Sequence, residues 1–449
     1  MACGPHPQSP ATLWRWGGPY RRARGAWVAP LVPALAVLLL LAAPVTPGDV
    51  STSGKVTPAD AASAVLVLAC AVRLLRHRAR PLTPAAALIL GAPAVGFAVA
   101  AMTSLDPAAG LAGFLRYVQV FVLVPAALVL LLRDRRDFAV VAGAVVGLAL
   151  VQGAIGVWQY ATATGASYMG ENIRAVGTFG PSDVMGMATA VAYGLVIATG
   201  YALAPAAAGA PRWLRPAALL CVAALLVPLV VSFSRGTWIA TAVACGSMIV
   251  LAGRRQALRI FAVLAAAAVL LVGGVGVGSQ MISQRVTSIT QVTDAPDSSV
   301  TDRYALWAAA LDMWRHHPAT GVGLKRFPDE RDGHASLALS SASDTAGAGQ
   351  SFVREPLLSP HNMYLLTLSE QGLIGFTLLT GAWAALLTLA THRLRRSPHV
   401  APGLAAVGLL LWQLVDFLYA DIGGPSTVLT ALLLGLTAWW ALVGGGEDA

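Results

Sequence analysis

The chain has 449 residues, of which 57% are hydrophobic and only 11% are charged, and its formal net charge is +9. So few charges cannot cover a soluble protein of this size, and continuous apolar runs exclude a transmembrane β-barrel, whose strands alternate. The basic residues lie between the apolar runs, so the positive balance indicates membrane topology and excludes nucleic acid as the partner. The composition predicts an all-α integral membrane protein.

Apolar runs recur along the chain, and about 20 such residues are needed for one membrane-spanning helix. We predict about twelve transmembrane helices, near residues 27–45, 59–75, 84–103, 111–132, 138–160, 184–204, 216–232, 235–253, 259–278, 362–390, 401–420 and 425–444. They divide the chain into an N-terminal tail (1–26), helices 1–9 (27–278), a polar loop domain (279–361), and helices 10–12 with the C-terminus (362–449).

The placement of basic residues predicts which side each segment faces. If the N-terminus is cytoplasmic, 19 of the 30 Lys and Arg residues fall in cytoplasmic segments. The positive-inside rule then predicts that both termini are cytoplasmic and that the loop domain is extracytoplasmic, since long loops translocate largely regardless of charge.

The loop domain combines seven basic residues with nine acidic ones, so individually placed arginines are expected rather than a diffuse anion-binding patch. Thr301 to His317 predicts an amphipathic helix that Pro318 ends. His316 and His317 would lie at its C-terminus, where the helix dipole favours positive charge. One predicted face fits either the membrane interface or the core of the loop domain; it holds Tyr304, Trp307, Leu311 and Trp314.

Two arginines outside the loop domain are candidates for anion binding. Arg235 lies between two apolar spans, where an unpaired charge is costly. Its guanidinium either snorkels to the interface or grips a diphosphate through two donors. Arg174, in a predicted outer loop, is either an ordinary solvated side chain or part of the same site.

Titratable groups also lie at the ends of the later spans. His361, at the mouth of the tenth span, is either structural or a general base for a hydroxyl group. Arg116, Asp416 and Asp421 lie in or beside spans, and we expect a structural ion pair among them more than a proton path.

Four ordered stretches between about residues 170 and 376 resemble the O-antigen ligase and polymerase family of membrane glycosyltransferases. They are Arg174 to Gly180, Ser234-Arg235-Gly236 with Trp238, Arg303 to Trp307 followed by Pro318 and Gly321-Val322-Gly323, and His361-Asn362-Met363-Tyr364 followed by Glu370, Gly372, Leu373, Ile374 and Gly375. One departure is Pro181-Ser182-Asp183, where the family often has an asparagine-containing sequence.

The resemblance implies a GT-C-like fold in the bacterial cytoplasmic membrane and transfer of a glycan from an undecaprenyl-diphosphate carrier. The acceptor would be a hydroxyl group of a glycan, lipid or protein on the outer face, and the reaction would invert the anomeric centre without a metal or other cofactor. His361 would be the catalytic base, Arg235, Arg303 and Arg174 would bind the diphosphate, and Asn362 and Tyr364 would support them.

Three other functions stay open at this point. A polymerase of the same family would extend a glycan on its own carrier, and the motifs do not separate it from a ligase. Peptidoglycan polymerases of the shape, elongation, division and sporulation family also carry a large outer loop. A transporter of lipid-linked glycans is disfavoured, because the sequence shows no inverted repeat.

Overall fold

The computed structural model describes residues 29–44, 56–77, 82–168, 171–180, 183, 185–205, 211–253, 255–260, 262, 298–335 and 359–443. The predicted N-terminal tail, most of the ninth span and parts of the loop domain lie outside the described residues.

Helices form nearly all of the described chain. The first group is α1 (Val32–Leu41), α2 (Pro58–His77), α3 (Pro84–Met102), α4 (Pro107–Val118), a π-helical segment (Gln119–Leu123), α5 (Val124–Leu131) and α6 (Arg135–Thr162). The second is α7 (Gly186–Leu203), α8 (Leu214–Val231), α9 (Arg235–Ala252), α10 (Ser298–His316), α11 (Phe327–His334), α12 (Met363–Leu394), α13 (Val400–Asp416) and α14 (Thr427–Leu442). A two-stranded antiparallel hairpin, β1 (Ala166–Tyr168) and β2 (Glu171–Arg174), is the exception to the all-α prediction.

Eight described helices are long and apolar enough to cross a membrane, counting α4, the π-helical segment and α5 as one. Three more apolar helices, α1, α13 and α14, are shorter. Together they coincide with every predicted span except the ninth, so the multi-span helical class is confirmed for the described residues.

Tryptophans mark the centre of the bundle, where α13 and α14 are almost wholly buried. The indole N–H of Trp412 donates to the Thr241 hydroxyl at 2.9 Å, and that of Trp439 donates to the Leu132 carbonyl at 2.9 Å. Because an apolar interior offers no water, each buried N–H needs such a partner. These bonds tie α13 to α9 and α14 to the end of α5.

The intramembrane ion pair differs from the expected one. Arg116 of α4 pairs with Asp60 at the start of α2, and not with Asp416 or Asp421. Gln119 extends the network by donating to the Ser63 hydroxyl at 2.7 Å. Pairing between neighbouring helices lowers the cost of charge at this depth, so Arg116 has a structural role here.

Helix α12 is broken at Gly372, where φ is 59° and ψ is −164°. The rings of Tyr364 and Trp383 lie 6.1 Å apart, although 19 residues of continuous helix would separate their backbones by about 28 Å. The segment before Gly372 therefore folds back toward the segment after it. The membrane-crossing part begins near Leu373, and the predicted tenth span, 362–390, contains two helices rather than one.

The segment between α10 and α11 seals this break. Its N–H groups at Val322 and Gly323 donate to the carbonyls of Ser369 and Glu370, at 2.9 and 3.0 Å. Beyond the break, Leu373 and Ile374 donate to the carbonyls of Pro318 and Ala319, at 2.9 and 3.1 Å. The four bonds satisfy backbone groups that a broken helix would leave unpaired in the protein interior.

Glycines permit the close contact at this junction. A β-carbon on Gly372 would lie 2.3 Å from the Ala319 carbonyl oxygen, and one on Gly321 would lie 2.3 Å from the Glu370 backbone. Both glycines also have a positive φ. The Pro-x-x-Gly-x-Gly and Glu-x-Gly stretches are thus the two sides of one packed junction.

Helix α10 confirms the helix predicted inside the loop domain, and it ends at His316 before Pro318. Its buried side chains are Leu306, Ala309, Ala310 and Met313. The predicted aromatic face is displaced from these residues: Tyr304 is exposed, and Trp307 is half-buried. Of the two predicted alternatives, packing of the aromatic face in the core of the loop domain does not fit the exposed Tyr304, because the apolar stripe and the aromatic stripe lie side by side on the helix.

Candidate active site

His361 has a positive φ of 49°, immediately before α12. The next residue, Asn362, caps the helix: its side-chain oxygen accepts from the Leu365 N–H at 3.0 Å, and its amide donates to the Leu418 carbonyl at 3.0 Å. A left-handed residue is held in place only when its surroundings fix it. Asn362 provides that restraint from the helix and from the chain after α13.

Residues 417–421, which follow α13, form the scaffold of the site. The Met363 N–H donates to the carbonyls of Phe417 and Ala420, at 2.9 and 3.0 Å. The Tyr364 hydroxyl donates to the Leu414 carbonyl at 2.7 Å. The start of α12 is therefore bonded to both the end of α13 and this segment. The supporting roles predicted for Asn362 and Tyr364 stay predictions.

Asp421 is the nearest acidic partner of His361. Its carboxylate interacts with the Ser359 hydroxyl and with the backbone N–H of His361, and it is coupled electrostatically to the imidazole. Burial lowers the pKa of His361 below its ordinary value; Asp421 opposes this shift and Arg303 adds to it. Burial raises the pKa of Asp421, against the effects of His361, Ser359 and Lys325. Both shifts favour the uncharged forms of the pair, and the uncharged imidazole is the form that can accept a proton.

Arg303 and Trp307 reach the same place from α10. The Trp307 indole N–H donates to the Pro360 carbonyl at 2.9 Å, directly before His361. Arg303 lies one turn earlier on the helix and is close enough to act on the imidazole electrostatically. The loop helix α10 therefore places the Arg303 guanidinium within electrostatic range of the His361 imidazole.

Arg235 begins α9 and approaches the scaffold from another side. Ser234 caps the helix by accepting the Thr237 N–H at 3.3 Å. A β-carbon on Gly236 would meet that of Tyr419 at 3.4 Å, so the Ser-Arg-Gly stretch packs on residues 417–421. The starts of α9 and α12, beside Arg235 and His361, therefore contact the same short segment of chain, residues 417–421.

The backbone after Arg174 is held by two glutamines of α6. Gln159 accepts from the N–H groups of Val176 and Gly177, at 3.0 and 2.8 Å. Gln152 accepts from the Thr178 N–H at 2.9 Å. Arg174 is the last residue of β2, and its side chain lies outside what the structure describes. Its predicted contact with the diphosphate stays a prediction.

Asp183, in the stretch that departs from the family pattern, joins two helix starts. Its carboxylate accepts from the Ser426 N–H at 2.8 Å, just before α14, and it also interacts with the backbone of Gly186 at the start of α7. Burial raises its pKa from 3.8 to about 6. A carboxylate at two helix N-termini is stabilised by both dipoles, so Asp183 acts as a structural cap.

Glu370 connects the sealed helix break to the site. Its buried carboxylate accepts from the Phe327 N–H at 3.2 Å, and Lys325 lies within electrostatic range of both Glu370 and Asp421. Lys325 is exposed and has a positive φ of 63°. Sequence reasoning passed over Lys325, although a lysine beside two glycine turns in a loop rich in acids was a visible signal.

These features define a multi-span helical membrane protein in which a half-buried histidine has Asp421 and Arg303, from two separate parts of the chain, within electrostatic range. A family model described as O-antigen ligase matches residues 219–380. Over these residues the chain is similar to the O-antigen ligase family, whose members are glycosyltransferase-like membrane ligases or polymerases. A comparison with curated proteins found no match.

Proposed function

We propose that the protein transfers a glycan from an undecaprenyl-diphosphate carrier to an acceptor hydroxyl group on the outer face of the bacterial cytoplasmic membrane. The observation that carries the proposal is His361, held in a strained conformation beside Asp421 and within the electrostatic reach of Arg303. The family match supports membrane glycosyl transfer, and the residue roles are our extension of it.

In the proposed reaction, the acceptor oxygen attacks the anomeric carbon from the side opposite the diphosphate. The new carbon–oxygen bond forms as the bond to the carrier diphosphate breaks, so the anomeric configuration inverts. His361 takes the proton of the acceptor hydroxyl, and Asp421 orients the imidazole and stabilises its positive charge. Undecaprenyl diphosphate leaves with the electron pair of the broken bond.

Arginines stabilise the leaving diphosphate in this proposal. Arg303 and Arg235 come from α10 and α9, and Arg174 comes from the end of the hairpin. Guanidinium groups bind phosphate oxygens through paired donors and keep their charge at any physiological pH. Charge fixed where negative charge develops is a large source of transition-state stabilisation, so this step is proposed to need no metal ion.

The topology proposed for the chain places both termini in the cytoplasm and the domain of residues 279–361 outside. Arg393, near the end of α12 and on the far side of the break from His361, donates to the Trp440 carbonyl at 2.8 Å. Basic residues favour the cytoplasmic side. Reporter fusions after residues 255 and 334 test this: a cytoplasmic reporter is expected to work only at the first, and a periplasmic reporter only at the second.

The central experiment is transfer from a purified carrier-linked glycan with the full-length protein in detergent or vesicles. His361→Ala is expected to lose on the order of 100-fold or more in rate, as for removal of a general base. The matched control, His399→Ala, changes a histidine that lies before α13 at the opposite end and should leave the rate unchanged. Normal turnover by His361→Ala would remove the assigned base.

The same assay separates diphosphate binding from simple charge. Arg235→Lys keeps the positive charge and loses the paired donors, so we expect a loss on the order of ten-fold. Near-normal activity would show that Arg235 does not grip the diphosphate. Product analysis distinguishes the two family activities, because a single transfer indicates a ligase and a ladder of lengths indicates a polymerase.

A further inference from the structure

Three metal-binding side chains converge at the end of α10 farthest from His361. Asp312 and His316 lie one turn apart at the C-terminus of α10, and His334 is the last residue of α11. One ligand atom from each side chain lies within 4.8 Å of the other two. None of these residues belongs to the candidate active site.

The distances within this group fit a small cation. His334 Nδ1 lies 2.7 Å from Asp312 Oδ2, and His316 Nδ1 lies 3.8 Å from the same oxygen. The two imidazole rings have centroids 5.3 Å apart. In a tetrahedral zinc site with bonds of about 2.0–2.1 Å, neighbouring ligand atoms are about 3.3 Å apart. Shifts of less than about 1 Å in these side chains would complete the geometry for the two pairs.

We propose that Asp312, His316 and His334 bind one divalent transition-metal ion, with zinc as the expected occupant. Two imidazoles and one carboxylate are a ligand set that zinc accepts, with the fourth position left for water or another donor. An imidazole coordinates through its unprotonated nitrogen, so a proton that His334 Nδ1 shares with Asp312 moves to Nε2 when Nδ1 binds the ion.

Nearby charges are compatible with a cation at this position. The Asp312 carboxylate supplies the negative charge of the site, and its Oδ2 lies 2.7 Å from His334 Nδ1. Arg315 is the opposing charge, and its side chain is exposed, where water screens it. In the proposed site the Asp312 carboxylate contacts the ion directly and the Arg315 guanidinium does not.

The proposed ion would hold α10 and α11 together across the segment that seals the break at Gly372. About 13 residues of helix, or about 20 Å, separate His316 from Arg303. The ion is therefore too far away to take part in the reaction, and its role is to fix the loop domain. The inference stands independently of the proposed glycosyl transfer.

The test uses the full-length protein in detergent, purified through a tag that contains no histidine. After treatment with EDTA, the protein is loaded with zinc sulfate, dialysed against metal-free buffer and analysed for metal. One zinc ion per chain is expected in the wild type and in His317→Ala, a neighbouring exposed histidine outside the group. The double variant His316→Ala/His334→Ala should retain none.

Two further measurements keep the proposal falsifiable if a variant folds poorly. In the first, the thermal midpoint of the wild-type protein should rise reversibly when zinc is added and fall when EDTA is added. The single variants Asp312→Asn and His316→Ala should lose this response, and their side chains are 40% and 62% exposed, so the fold should tolerate both changes. No zinc retained by the wild type, or equal zinc in the double variant, would overturn the site.

Discussion

The indole N–H of Trp307 donates to the carbonyl of Pro360 at 2.9 Å, and this bond connects the loop helix to the residue before His361. It is a contact between the two motifs that carry the proposed base and one proposed diphosphate ligand. The bond spans 53 residues of sequence, and it fixes how Arg303, one turn away, stands relative to the imidazole.

Trp307→Phe tests this connection. The change keeps an aromatic ring but removes the indole N–H and its hydrogen bond. Such a bond has a net value of about 1 kcal/mol, which corresponds to roughly five-fold in rate. We expect a fall in transfer rate of that size with little loss of thermal stability. Trp314→Phe on the same helix is the control, because the Trp314 indole has no hydrogen-bond partner among the described residues. Equal effects of the two changes would contradict the prediction.

The pH profile of transfer should respond in opposite directions to two substitutions. Asp421 raises the pKa of His361 and Arg303 lowers it, so Asp421→Asn should move the acidic limb of kcat/KM to lower pH. Arg303→Gln should move the same limb to higher pH. The wild-type limb is expected below 6.5, because burial lowers the pKa of His361.

Arg315→Gln is the control for this pair of substitutions, since Arg315 lies at the other end of α10 and is exposed. Its profile should match that of the wild type. Shifts of the same sign for Asp421→Asn and Arg303→Gln would show that a group other than His361 controls the limb.

Gly372→Ala should destabilise the sealed helix break. The φ of 59° and the 2.3 Å approach to the Ala319 carbonyl leave no room for a methyl group, and the strain is about 1–3 kcal/mol. We expect a lower thermal midpoint and reduced transfer. Gly381→Ala is the matched control later in α12, where an added β-carbon meets nothing within 4 Å. A wild-type midpoint for Gly372→Ala would mean that the junction is not as described.

Asp183→Asn should change how stability depends on pH. Burial raises the pKa of Asp183 from 3.8 to about 6, so the native chain binds more protons there than the unfolded chain between these values. This group therefore favours folding at low pH, and that contribution is lost as the pH rises toward 6. Thermal midpoints measured from pH 4 to 7 should favour the wild type most at the acidic end, and parallel curves would refute this.

The apolar spans were predictable because each is a local property of about 20 residues. The contacts that each motif makes with the other motifs were not predictable. The hydrogen bonds that join Val322 to Ser369 and Leu373 to Pro318 connect chain segments about 50 residues apart, and no periodicity encodes them. The break at Gly372 was hidden for the same reason: Ser369-Glu370-Gln371 interrupts the apolar run there, but the bonds that seal the break come from residues 318–323.

Asp421 was visible in the sequence as an acid beside a span, but its partner was not. The short segment 417–421 brings it to His361 by bonding to the first residues of α12. Arg116 shows the converse, since its partner, Asp60, stands at the start of a helix 56 residues earlier. In both cases the sequence shows an ionisable residue that is costly to bury, and only the packing between helices identifies its partner.

Because α12 is broken, the position of His361 along the membrane normal does not depend on the thickness of the bilayer. Residues 363–371 are carried by the junction with residues 318–323, so the length of the crossing helix does not set where the imidazole stands. A residue deleted between 318 and 323 would shift the junction's register and move the base relative to the carrier lipid's headgroup.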